Sequence, residues 1–173
     1  MATLIKKRRF VADSWQLLEC AADGALPEVT DTGAVIVPLA LWRARRDALL
    51  ARGHAIGVWL DSGESAEDIA ADLNHFAVVA VSFPTLSDGR GYSTARLLRE
   101  RHGFTGELRA IGEVRRDQLL FLERCGFDAF ALRDDQDAEH ALEAFEEFSE
   151  AYQVSVTQPV PLFRRRASSG PAA

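Results

Sequence analysis

The sequence predicts a single α/β domain of consecutive βα units around a mainly parallel sheet of about five strands, either a TIM-like half-barrel or an open flavodoxin-like sheet. Three observations predict it. From Gly33 onward, short β-branched runs alternate with stretches of helical periodicity, which is how parallel βα units read. Glycines close the helical stretches at Gly53, Gly103 and Gly126, where a left-handed C-terminal residue is commonly needed. The length of 173 residues suits one core, because each of two would fall near the size where burial barely offsets chain entropy.

The elements follow in order. Ala34–Val37 is the first strand, and after Pro38 a helix carries Leu41, Trp42, Ala48 and Leu49 at helical spacing as far as Gly53. Ile56–Leu60 is the next strand. Ser65, with Asp68 three residues on, makes a capping box in which Asp replaces the usual Glu, opening a helix that reaches Leu73. Phe76–Phe83 is apolar throughout, as a central strand covered on both faces should be. Ser93–His102 reads as helix, Glu107–Ile111 as strand, Arg116–Cys125 as helix and Phe127–Leu132 as the last strand. Ala138, Ala141, Leu142, Phe145 and Phe148 then form an apolar stripe opposite Glu139, Glu143, Glu146 and Glu147, an amphipathic helix lying on the sheet. The domain so defined spans 1–151, with a β-rich lead-in over 8–32. Pro159, Pro161 and the Ser-Gly-Pro ending make 152–173 an extended or disordered tail.

Composition excludes several functions. Twenty basic against 26 acidic residues leave a net charge of −6, which argues against a nucleic-acid binder that must neutralise several phosphates. Cys20 and Cys125 lie far apart with no CxxC, so neither a disulfide framework nor a metal or iron–sulfur site has support, and reduced thiols in a cytoplasm are expected. His54, His75, His102 and His140 lack paired metal spacing. No apolar stretch long enough for a signal peptide or membrane span follows the basic run Lys6–Arg9. That run and Arg164–Arg166 read as solvated ends or docking arms.

Ligands of parallel α/β sheets bind beyond the carboxyl ends of the strands. The richest loop there is Pro84–Arg96, whose Asp88, Gly89, Arg90, Gly91, Tyr92, Ser93 and Arg96 are candidates for binding an anion or a partner. Gly89 and Gly91 permit positive φ, Ser93 or Thr94 is placed to cap a helix, and Arg90 and Arg96 offer forked donors to an oxyanion. Thr94 stands where a full GxGxxG needs its third glycine, and no GxxxxGK[ST] occurs. The competing reading is local: Asp88-Gly89 turns the chain, Tyr92 packs beneath it and the arginines pair with acids. Glu113, Asp117 and Asp61 follow other strands and are candidates for general acid–base work, though acids at such places are also ordinary helix caps. Cys125, at a helix C-terminus, reads as a buried thiol and not a nucleophile.

The run Phe83-Pro-Thr-Leu-Ser-Asp-Gly-Arg-Gly-Tyr-Ser-Thr-Ala-Arg96, with Gly106–Gly112, Asp117-Gln-Leu, Arg124–Phe130 and Gln158–Phe163, resembles the bacterial DUF934 family. That family is typically encoded beside the sulfite reductase haemoprotein, so the resemblance implies an accessory protein of assimilatory sulfate and sulfite reduction, acting with that haemoprotein. It implies no catalytic residues and no cofactor. The chain cannot itself be the haemoprotein, because a [4Fe–4S] cluster takes four cysteine ligands and two cysteines are present. The alternative is a small-molecule enzyme, a lyase, isomerase or oxidoreductase, acting on an anionic substrate with Glu113 or Asp117 as base. A homodimer covering open sheet edges is a further expectation.

Overall fold

Six parallel strands and an antiparallel pair, eight strands in all, make up a single sheet in the computed structural model, which describes residues 3–168. The strands are β1 (Thr3–Lys6), β2 (Arg9–Val11), β3 (Trp15–Leu17), β4 (Ala34–Pro38), β5 (Ile56–Leu60), β6 (Val78–Phe83), β7 (Glu107–Gly112) and β8 (Ala129–Leu132). Their spatial order is β2-β1-β8-β7-β6-β5-β4-β3. Strands β3 to β8 run parallel, whereas β1 is antiparallel to both β2 and β8. The expectation of about five strands is therefore corrected to eight, with a mixed edge. Because β4 to β8 neighbour one another in sequence order, without the reversal that defines a doubly wound sheet, the architecture is the half-barrel.

Alternation along the strands sorts their side chains into two sets. Val35, Val37, Val58, Leu60, Val79, Val81, Leu108 and Phe130 share the main core with helix residues such as Trp42, Leu98 and Leu122. Ile36, Val78, Ala80 and Ile111 point the other way and pack with Trp15, Trp59 and Ala131. Burial on both faces is why these strands read as continuous apolar runs. The second face lies inside the curl of the sheet, and the lead-in closes over it. Strands β2 and β3 sit on opposite edges, yet only Ala12, Asp13 and Ser14 join them. Such a link spans at most about 14 Å, so the two edges are drawn together and the chain bridges the open side. Trp59 Nε1 donates to Leu18 O at 2.8 Å, and Asp13 Oδ2 accepts from Arg109 Nη1 at 2.7 Å.

The helices are α1 (Leu39–Ala51), α2 (Arg90–Glu100), α3 (Leu119–Arg124), α4 (Ala138–Glu143) and α5 (Leu162–Ser168). The Ser65 capping box forms, with Ser65 N–H donating to Asp68 Oδ2 at 2.8 Å, but it opens a 3-10 helix over Ala66–His75. Helix α2 starts three residues before Ser93. The last amphipathic stretch splits into α4 and a 3-10 turn, Ala144–Glu146, after which Phe148 emerges 68% exposed and does not join the stripe. Within the stretch read as tail, Leu162–Ser168 is helical, and Arg165 pairs with Glu150 at 2.6 Å. Residues 169–173 of that tail lie outside the described residues. The basic run at the start is engaged too: Lys6 pairs with Glu107 at 2.6 Å and Arg8 with Glu123 at 2.7 Å.

Candidate functional site

Four loops meet at the carboxyl edge of the sheet: Asp61–Glu64 after β5, Pro84–Gly89 after β6, Glu113–Arg115 after β7 and Arg133–Gln136 after β8. Two ionic clusters form among them. In the first, Arg90 grips Asp88 in a fork, with Nε to Oδ1 at 3.0 Å and Nη2 to Oδ2 at 2.6 Å. The same Nη2 donates to Ser62 Oγ at 3.0 Å, joining the loops after β5 and β6. The backbone N–H of Arg90 also donates to Asp88 Oδ1 at 3.2 Å. The guanidinium and this N–H hold the Asp88 carboxyl well below the usual carboxylate range.

In the second cluster, Arg133 bonds Glu113 through Nη1 and forks onto Asp135 at 2.7 Å through both Nε and Nη2. Arg115 Nη2 lies 3.7 Å from Glu113 Oε2. Glu113 N–H donates to Phe83 O at 2.8 Å, so the loop after β7 is fastened to the end of β6. Gly112 makes that crossing: its φ is +90°, and a Cβ there would stand 2.6 Å from Phe83 O. Only glycine fits.

The remaining candidates disperse. Gly89 is the helix-capping residue at φ −90° and supplies no positive φ. Gly91 is helical and buried, and a Cβ on it would meet the Phe83 ring at 2.7 Å, so its smallness serves packing of α2 on β6. Tyr92 packs its ring on Phe83 and Phe121 at centroid distances of 5.2 and 4.9 Å. Its hydroxyl accepts from Gln118 Nε2 at 3.3 Å, and burial pushes the phenol up. Ser93 lies inside α2, exposed, and does not cap it. Arg96 pairs with Glu100 along α2 at 2.8 Å and stands outside the ionic clusters. Asp61 accepts from Ser62 N–H at 2.7 Å, and its own N–H donates at 2.8 Å to Glu64, whose carboxyl is raised by burial. Asp117 sits exposed on the 3-10 turn Arg116–Gln118. Burial also pushes the Cys125 thiol up, and both cysteines are free.

Arg133 and Asp135 are rim residues that sequence reasoning passes over, although they follow β8 as directly as Asp61 follows β5. Chemically the rim presents arginines already neutralised by their own carboxylates. An oxyanion reaching Arg90 would have to displace or share Asp88, and Glu113 is flanked by the Arg133 and Arg115 guanidinium groups. Among the described residues no helix is long and apolar enough to cross a membrane, and no group of three or more His, Cys, Asp or Glu is placed to hold a metal ion.

A family model described as a bacterial protein of unknown function matches residues 57–163, from β5 into α5 and including both rim clusters. The chain matches none of the curated proteins compared with it.

Proposed function

The chain belongs to the DUF934 family, and from that premise we propose that it is an accessory protein of assimilatory sulfite reduction, presenting its carboxyl-edge rim to the sulfite reductase haemoprotein. The observation that carries this reading is the state of Arg90: 64% exposed, yet fixed by a fork onto Asp88 and a third bond to Ser62. A guanidinium oriented before its partner arrives loses little side-chain freedom on docking. A pair that stays ionised is also withheld from proton transfer near neutral pH. Both properties suit recognition better than catalysis.

The enzyme reading draws less support from the rim. Glu113 already accepts from Arg133 Nη1 and faces Arg115, so its oxygens are engaged within the rim, and Asp117 is exposed.

The test is genetic. Deletion of the gene should abolish growth on sulfate and sulfite while leaving growth on sulfide and cysteine normal. A strain complemented with Arg90→Ala should grow on sulfite at a fraction of the wild-type rate, although the purified variant still folds. Equal growth of the deletion strain on all four sources would remove the pathway. Full complementation by Arg90→Ala would remove the rim.

A further inference from the structure

At the other side of α3, the chain after residue 147 folds back over the helical layer and is tied down at several points. Val156 N–H donates to Arg124 O at 3.0 Å and Arg124 Nη2 to Gln153 O at 3.1 Å. Arg165 donates to Glu150 Oε2 at 2.6 Å and to Ala151 O at 3.1 Å. Yet this held backbone turns its largest apolar side chains outward: Phe148 is 68% exposed, Tyr152 77% and Phe163 62%. Isolated exposed hydrophobes need no explanation, but a contiguous strip of them marks an interaction surface. These are contiguous. Tyr152, Pro161 and Phe163 line one groove of about 450 Å³ with Arg96, and Tyr152 also lines the adjoining concavity of about 770 Å³ with Phe145 and Phe148.

We infer that this strip is covered by a second copy of the chain, making the protein a twofold-symmetric dimer through its tail face. The charges around the strip favour that occupant. Of the three arginines lining the two grooves, Arg96 pairs with Glu100 at 2.8 Å and Arg8 with Glu123 at 2.7 Å, while Arg124, which donates to Gln153 O, is matched in number by Glu146 in the same concavity, so the grooves offer no net charge to draw a strongly acidic or basic partner. At the ends of the strip the signs are opposite. Arg164 lies 5.9 Å over the Phe163 ring at one end, exposed and without a carboxylate partner among the described residues. Glu146 lines the concavity beside Phe148 at the other end, also exposed. A twofold axis through Tyr152 sets each copy's Arg164 against the other's Glu146, because in a symmetric interface residue i meets j and j meets i.

The area agrees. At about 200 Å² per aromatic side chain, the three rings expose roughly 400 Å². That is about half of the roughly 800 Å² per partner in a standard interface, and an apolar centre of that share is usual in homodimers. This inference does not rest on the sulfite reading, and its test is separate.

The test is the solution mass of the full chain by light scattering at about 50 μM, against a chain mass of 19.0 kDa. The expected mass is that of two chains, with Tyr152→Glu and Phe163→Glu each giving one chain with an unchanged circular-dichroism spectrum. Arg164→Glu should weaken dimerisation about tenfold, and Arg164→Glu with Glu146→Arg should restore it. A one-chain mass for the wild type would overturn the proposal. So would a dimer that survives both glutamate substitutions, or a double charge swap that dimerises no better than the single one.

Discussion

Arg109 shows how much one residue carries inside the curl of the sheet. It is 3% exposed and its neighbour in the same strand, Glu107, is 8% exposed. Arg109 Nε donates to Glu107 Oε1 at 2.7 Å and Nη1 to Asp13 Oδ2 at 2.7 Å, while Lys6 reaches Glu107 Oε2 at 2.6 Å. Register gives the space for it: Lys6, Ala129, Arg109, Ala80 and Trp59 follow one another across five neighbouring strands, so Arg109 is flanked by alanines on both sides. Two consequences follow from that placement. The Asp13 contact fastens the lead-in across the half-barrel, and each charge is sheltered from water only because the others are there. Arg109→Leu should therefore lower unfolding stability by about 3 kcal/mol, the range for breaking a buried pair by removing one partner, read as a fall in the urea midpoint. A loss below about 1 kcal/mol would mean that water already reaches Glu107. None of this was legible from Glu107-Leu-Arg109-Ala-Ile111. Polar and apolar alternation normally sends the polar residues of a strand to solvent, and nothing local reports that this strand turns Glu107 and Arg109 into the curl of the sheet.

Elements set by local chemistry follow the sequence closely. Strand β5 matches its expected bounds, the Ser65–Asp68 box closes, and Gly53, Gly103 and Gly126 all take positive φ at helix ends. The lead-in read as β-rich over 8–32 holds β2 and β3, but at three residues each their pattern is too short to show a period and place them, and β1 owes its place to pairing with β8, far along the chain. Helix α2 begins early because Asp88 and Gly89 turn the chain before Ser93 is reached. The rim was legible for the same reason, since the rule of strand carboxyl ends found Asp61, Asp88, Arg90 and Glu113 without help from contacts, whereas the partition into two clusters depended on tertiary pairing with Ser62 and Arg133. Gly91 separates the two kinds of glycine argument. Alanine is the better helix former by about 1 kcal/mol, so Gly91→Ala would stabilise an isolated α2. In the protein its Cβ would stand 2.7 Å from Phe83 Cζ and 3.0 Å from Val81 Cγ1, both in the core. Overpacking of that kind costs about 1–3 kcal/mol, and the net expectation is a melting temperature lowered by several degrees. A raised melting temperature would show that α2 can slide on β6, and the packing argument for this glycine would fail.

The whole molecule carries a charge of −6 at neutral pH, and much of its acid is spent internally. Asp68 is lowered by Ser65 and Arg43, Asp72 by the Trp42 indole N–H and Arg46, Asp88 by Arg90 and Asp135 by Arg133. In each case the folded pKa lies below the unfolded value of about 3.9. The stability each contributes is therefore complete above that value and is lost as pH falls through the folded pKa. Glu64 acts in the opposite sense: burial raises its folded pKa, so it opposes folding above that pKa and relents on acidification. Four lowered groups outweigh one raised group, so the urea midpoint should be level from about pH 7 to pH 5 and fall below about pH 4. Two causes compete for that fall, because with all carboxylates protonated the 20 Lys and Arg and four His leave 20 + 4 = 24 positive charges to repel one another. Salt separates them, since roughly 0.5 M NaCl screens exposed repulsion strongly and partly buried pairs much less. Asp72→Asn separates them further. The amide still accepts from Trp42 Nε1, now 2.9 Å from Asp72 Oδ2, but it cannot titrate, so the variant should start less stable at pH 7 and lose less on going to pH 3. An unchanged loss between those pH values, removed by salt, would assign the acid sensitivity to repulsion alone and leave the Asp72 pairing without a measurable share in it.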